Sequence, residues 1–198
     1  MSSSRISTVI RPEINVFSRV FFRTKFYLRD PRAIENTSHF MKLAKKLVIL
    51  ALVILAAMQL YRPQKNTAEG DYVAAFEAET QPSEEVKAIL KTSCYDCHSA
   101  NTEYPWYNNV APISYWLEQH IQEGKEHLDF SAWETYSNKK KDHKLEELIE
   151  EVREGEMPLS EYTWTHREAR LSEQQINLLL EWAEKAREPY QIAELPRR

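Results

Sequence analysis

Residues 47–60 read L-V-I-L-A-L-V-I-L-A-A-M-Q-L, the one long uncharged apolar run in the chain, and they come directly after M-K-L-A-K-K. A run of this kind needs an apolar cover, so it divides the chain into a part before it and a part after it. The charge changes sign across it. Residues 1–60 carry 10 Lys and Arg against 3 Asp and Glu, whereas residues 61–198 carry 16 against 27. The front is basic and the body acidic, and an acidic body is a poor match for nucleic acid. Lys42, Lys45 and Lys46 lie on the N-terminal side of the run. That is the layout of a signal-anchor or of a cleaved signal peptide, with the positive flank left in the cytoplasm. At 14 residues the run falls short of the ~20 that span a bilayer. Leu43, Ala44 and Tyr61, with the lysines snorkelling, bring it close. Ala56 and Ala57 offer small residues to a signal peptidase, but no small-x-small site is evident. The reading is an inner-membrane anchor over residues 41–61 with the body on the periplasmic side, and export after cleavage as the alternative.

The segments on either side are less patterned. Residues 1–40 are basic, scatter Phe17, Phe21, Phe22 and Phe26 without a sustained period, and end just before Met41. A signal-anchor normally starts near an N-terminus, so two expectations stand. Either translation starts at Met41, or residues 1–40 form a disordered cytoplasmic tail. Residues 62–82 are polar, carry Pro63 and Pro82, and predict a linker.

From residue 83 the spacing is helical. Three glycines in 198 residues, with abundant Leu, Glu, Lys and Ala, favour helices over a turn-rich β fold. Ser83 is a good N-cap ahead of Glu84 and Glu85, with Val86, Ile89 and Leu90 as the apolar stripe of a helix running into Cys94. Residues 113–122 predict a second helix on Ile113, Trp116, Leu117 and Ile121, with Gly124 near its end. D-F-S-A-W at 129–133 predicts a short helical turn. Residues 144–153 predict a solvated helix on Leu145, Leu148, Ile149 and Val152, stopped at Gly155. Ser172 and Gln175 have the spacing of a capping box for a last helix carrying Ile176, Leu179, Leu180 and Ala183, which Pro189 should end. The fold class expected is all-α: a small domain of four or five helices over 83–190, behind one N-terminal membrane segment and before a short tail, 191–198.

Both cysteines fall in S-C-Y-D-C-H-S-A at 93–100. Four chemistries use two thiols and an imidazole this close together: a disulfide, a thiol redox couple, half a zinc site, or covalent haem attachment. A Cys-x-x-Cys disulfide closes too small a loop to staple much. A thioredoxin-like couple needs a βαβ context that is absent here. Zinc takes four ligands, and there is no second cysteine pair. Haem attachment uses every residue present, with Cys94 and Cys97 adding to two vinyl groups as thioethers and His98 held as the proximal iron ligand. For the distal position the body has one methionine, Met157 in G-E-M-P at 155–158, 59 residues beyond His98. The rivals are His120, His127, His143 and His166, or an open site. Tyr104, Trp106, Tyr107, Trp116, Trp133 and Trp164 are dense for so small a domain, and Trp106, Tyr107 and Trp116 are the candidates for lining a haem pocket.

C-Y-D-C-H with a downstream M-P and a final L-S-x-x-Q…L-L-x-W helix resembles class I cytochrome c. More narrowly, C-Y-D-C-H-S-A-N-T-E-Y-P-W-Y…A-P-I-S-Y-W-L and G-E-M-P-L-S-E-Y resemble the bacterial haem-binding domain family of single-haem c-type proteins, over roughly residues 70–190. The resemblance implies one covalent haem c on Cys94 and Cys97, with His98 proximal and Met157 distal. It also implies a cytochrome c-like fold in a membrane-anchored or exported protein. Electron transfer in the periplasm, to a redox partner with a basic docking face, is the leading expectation. A peroxidase or a gas or redox sensor with a displaceable distal ligand is the alternative, and a tethered module with structural haem a third.

Overall fold

The computed structural model describes residues 31–193, and the expectations for residues 1–30 and 194–198 lie outside them. Among the described residues every regular element is helical, and the only β-type pairing is one isolated bridge between Thr67 and Asn101. The elements in chain order are α1 (Pro31–Met58), α2 (Ala74–Thr80), α3 (Glu84–Ser93), α4 (Tyr95–His98), α5 (Ile113–His127), α6 (Asn138–Glu154), α7 (Ser160–Thr165) and α8 (Glu173–Ala193). Short 3₁₀ turns at Trp106–Asn109, Phe130–Thr135 and Arg167–Ala169 connect them. The all-α expectation holds, with more helices than four or five: the short α4 and α7 are added, and α5, α6 and α8 run longer than expected. The chain divides after Leu50 into two units.

α1 begins at Pro31, inside the segment that showed no period, with proline at the helical position where its missing N–H costs nothing. It runs through Lys42, Lys45 and Lys46 and ends at Met58, where Gln59 and Leu60 form a turn and Tyr61 is no longer helical. The expected extension to Tyr61 therefore does not add to the helix. The uncharged helical part, residues 47–58, reaches about 18 Å at ~1.5 Å per residue, against a hydrocarbon core of ~30 Å. No helix among the described residues is long and apolar enough to cross a membrane. Leu47, Val48, Leu52 and Val53 are nonetheless all more than half exposed.

The body has one core. Ser83 Oγ accepts from Val86 N at 3.3 Å and starts α3, whose Val86, Ile89 and Leu90 are buried as the stripe predicts. α6 starts earlier than its apolar stripe because Ser137 caps it, its Oγ accepting from Lys140 N. It lays Leu145, Leu148, Ile149 and Val152 along α8, where Leu179 and Ala183 are fully buried. The expected capping box forms at α8, with Ser172 N donating to Gln175 Oε1 at 2.9 Å and Gln175 N to Ser172 Oγ at 3.3 Å. Pro189 does not end α8. The helix gives up the bond that its missing N–H would make, and continues because Tyr190 is anchored, buried with its hydroxyl on Glu79 Oε1 at 2.9 Å.

The larger correction concerns residues 62–82. They are not a free linker: Ala74–Thr80 is helical, and Phe76 is fully buried with its ring 4.5 Å from Phe130, 5.0 Å from Trp133 and 5.9 Å from Trp182. Upstream, Asn66 donates through Nδ2 to Ser99 O and Thr102 Oγ1 and accepts from Lys125 Nζ, while Tyr104 Oη accepts from its backbone N–H. A polar segment with few apolar residues reads as solvated, but Val73 and Phe76 are buried in the core and Asn66 and Glu79 are hydrogen-bonded to the body.

Candidate functional site

α3 ends at Ser93 and the chain turns once more as α4 (Tyr95–His98). Cys94 N donates to Leu90 O, and Cys97 and His98 both return to Cys94 O, at 3.2 and 3.0 Å. The whole motif is therefore one helical turn, and the three-residue step from Cys94 to Cys97 puts both thiols on one side of it. The residues between them hold the turn in place. Tyr95 is buried and its hydroxyl donates to Glu77 Oε1 at 3.0 Å. Asp96 accepts at Oδ1 from Glu103 N at 2.9 Å and at Oδ2 from Tyr162 Oη at 2.8 Å. Ser99 Oγ donates back to Tyr95 O at 2.7 Å.

α5 packs against this turn closely enough that only glycine fits at 124. A Cβ there would meet Cys97 O at 2.9 Å and Cys97 Cβ at 3.1 Å. The sequence places Gly124 near the end of this helix; it lies in the last turn of α5, which runs on to His127, in close approach to the motif.

His98 Nδ1 lies 2.9 Å from Leu128 O. A carbonyl only accepts, so Nδ1 carries the proton and Nε2 keeps its lone pair. Burial holds the imidazole below its ordinary pKa, with the Leu128 and Gly124 carbonyls pulling the other way. A neutral ring with one nitrogen tied to a backbone carbonyl is the usual arrangement of a metal-ligating histidine. Its other face rests on the core through Phe130, 6.3 Å away edge to face.

Two cavities, of about 350 and about 310 Å³, open beside the motif and share Ser93, His98, His127, Met157 and Pro158 as walls. Cys94 lines the first and Cys97 the second. Their sizes are those of small-molecule sites. Met157 reaches both because α6 ends in a Schellman motif. Gly155 takes φ 78°, Glu156 N donates to Glu151 O at 3.0 Å and Gly155 N to Val152 O at 3.3 Å, and Met157 N also donates to Glu151 O, at 3.1 Å.

The other sequence-predicted residues divide. His120 and His127 line the second cavity. His143 pairs with Glu146 and Glu147 on α6, and His166 stacks on Tyr162 with ring centroids 4.2 Å apart. Tyr107 and Trp116 line a separate, smaller space of about 50 Å³ that shares Cys97, His120 and Tyr162 with the site. Trp106 is 80% exposed and Trp164 68%, neither lines these cavities, and Trp133 is fully buried in the core.

Burial pushes both thiols up to about 12, aided at Cys94 by Cys97 and at Cys97 by Asp96. Reactive Cys-x-x-Cys couples lower a thiol's pKa, and zinc takes thiolates, so this environment suits neither. No group of three or more His, Cys, Asp or Glu that could hold a metal ion occurs among the described residues. Two neutral thiols on one side of a turn, an imidazole with Nε2 free, a thioether and apolar walls at Leu128, Leu148 and Val152 fit a haem. Gly124, Leu128 and the α6 walls carry no sequence signal that singles them out for this site.

The family model described as haem-binding domain matches residues 53–185. No curated protein and no solved structure matches the chain.

Proposed function

The chain belongs to the haem-binding domain family, and from that premise we propose that it is a mono-haem c-type cytochrome that transfers single electrons. One observation carries the reading. Cys94, Cys97 and His98 stand on a single helical turn whose imidazole is fixed by the Leu128 carbonyl, beside cavities that Met157 also lines. In this reading Cys94 and Cys97 would hold the porphyrin as thioethers, with His98 Nε2 as the proximal ligand and Met157 as the distal one. Haem iron supplies a one-electron couple, and methionine ligation raises its potential. The chain's own part is to keep His98 neutral and correctly turned, to hold Met157 on the Schellman turn and to keep water from the apolar walls.

The acidic body suits a redox partner with a basic face, because complementary charge raises the encounter rate. Export and attachment to the periplasmic side of the inner membrane belong to the same proposal. Their support is the lysines ahead of α1's exposed apolar residues. Recovery of the native protein in the soluble cytoplasmic fraction would refute that part.

The test of the haem reading is a pyridine haemochrome assay with mass spectrometry on the purified protein. One haem mass retained through denaturation is expected, and none retained would refute it. The oxidised wild type should show the weak charge-transfer band of Met–Fe(III), lost in Met157→Ala. Persistence of the band in that variant would remove Met157 from the site. Its absence from the wild type would shift the distal role to His120 or His127, which line the same space.

A further inference from the structure

α6 contributes Lys144, Glu147, Leu148, Glu151 and Val152 to the first cavity, a set spaced three and four residues apart along one face of the helix. Lys144 is the only lysine or arginine that lines either cavity. It is not an ordinary surface lysine: its side chain is only 12% exposed, and its ammonium is ion-paired with Glu147 Oε2, whose own side chain is 39% exposed. The other charged side chains on the walls are Glu147, Glu151 and Glu123, all acidic. A haem carries two propionates, and a carboxylate brought to an apolar wall beside acidic groups needs a cation.

We infer that Lys144 is the propionate-binding cation of this site and that Glu147 positions it. The inference rests on the haem reading above. Lys144 lines the cavity one turn from Leu148 with its side chain largely buried, and a lysine's methylenes can cover apolar wall while its ammonium keeps charged partners. Lys144 and Glu147 share a turn of α6, which holds the ammonium at the cavity before any ligand arrives. A propionate then adds a second anionic partner to a cation already in place, and side-chain ordering is not paid at binding.

The experiment uses the full, haem-loaded protein and reads the midpoint potential between pH 5 and 8. The variants are Lys144→Gln, Lys144→Arg and, as a control, Lys139→Gln, which makes the same charge change at an exposed position of α6. Removing a cation beside the haem favours the oxidised form. Lys144→Gln should therefore shift the one-electron equilibrium about tenfold towards oxidation, which is about 59 mV. It should also bring in a pH dependence as the unpaired propionate titrates. Lys144→Arg should restore the wild-type potential and its flat profile, and Lys139→Gln should leave both unchanged. A Lys144→Gln potential within that of Lys139→Gln, with the same pH profile, would overturn the assignment while leaving the haem reading intact. Absence of haem from the purified wild type would overturn both. Circular dichroism of Lys144→Gln controls for folding, and if that variant misfolds, Glu147→Gln decides. It keeps Lys144 and removes the charge that positions it; the lost charge raises the potential in either case, so a pH dependence brought in with it supports the assignment and a flat profile overturns it.

Discussion

Gly124→Ala is the sharpest test of how the motif is built into the fold, because two known effects oppose each other there. Inside a helix, alanine is favoured over glycine by about 1 kcal/mol, so on α5 alone the substitution would stabilise. The new Cβ would stand 2.9 Å from Cys97 O, 3.1 Å from Cys97 Cβ and 3.3 Å from Cys97 C. Two of these three atoms are backbone, which cannot rotate aside, so α5 and α4 must move apart. Overpacking of this kind costs about 1–3 kcal/mol. The balance is a net loss of up to about 2 kcal/mol, and a fall in Tm of up to several degrees for a domain of this size. Urea unfolding followed by far-ultraviolet circular dichroism gives the sign directly. The displacement falls on Cys97, so if the proposed thioethers form, mass spectrometry should also find more chains joined to haem through one of them. A Gly124→Ala protein more stable than wild type, with both thioethers formed, would refute the close approach.

At the other end of the site, Gly155→Ala should cost about 1 kcal/mol, because φ is 78° and a side chain there meets nothing within 4 Å. Gly155→Asn, which tolerates that conformation, should recover most of it in a thermal melt. In haem-free chains the thiols near 12 stay protonated at pH 8, so iodoacetamide should label Cys94 and Cys97 slowly when folded and rapidly in urea. Equal rates in the two states would contradict the raised thiol pKa in these half-buried positions. Phe76→Ala should destabilise the body by about 3–5 kcal/mol in chemical denaturation, since the ring is fully buried against three other aromatic rings. A loss under about 1 kcal/mol would return residues 62–82 to the status of a linker.

Several features of the body arise from patterns no longer than a helical turn or two. The Ser83 cap, the Ser172 and Gln175 capping box, the Gly155 stop and the stripes of α3, α6 and α8 each depend on residues within a few positions, and each appears where its sequence places it. Cys94, Cys97 and His98 belong to the same class, because three- and four-residue steps on one turn fix their mutual placement. Met157 was singled out by elimination, as the body's one methionine, and it lines both cavities. The tertiary structure decided what depends on groups far apart in the chain. His98 owes its tautomer to a carbonyl 30 residues away. Gly124 is needed because of Cys97, and Lys144 lines the cavity only because α6 lies along it. Residues 62–82 join the body through Phe76 and Asn66, and α8 passes Pro189 because Glu79 holds Tyr190. Period and capping report the bonds a segment makes with itself. Its neighbours across the core are set by packing, which no window of the sequence contains.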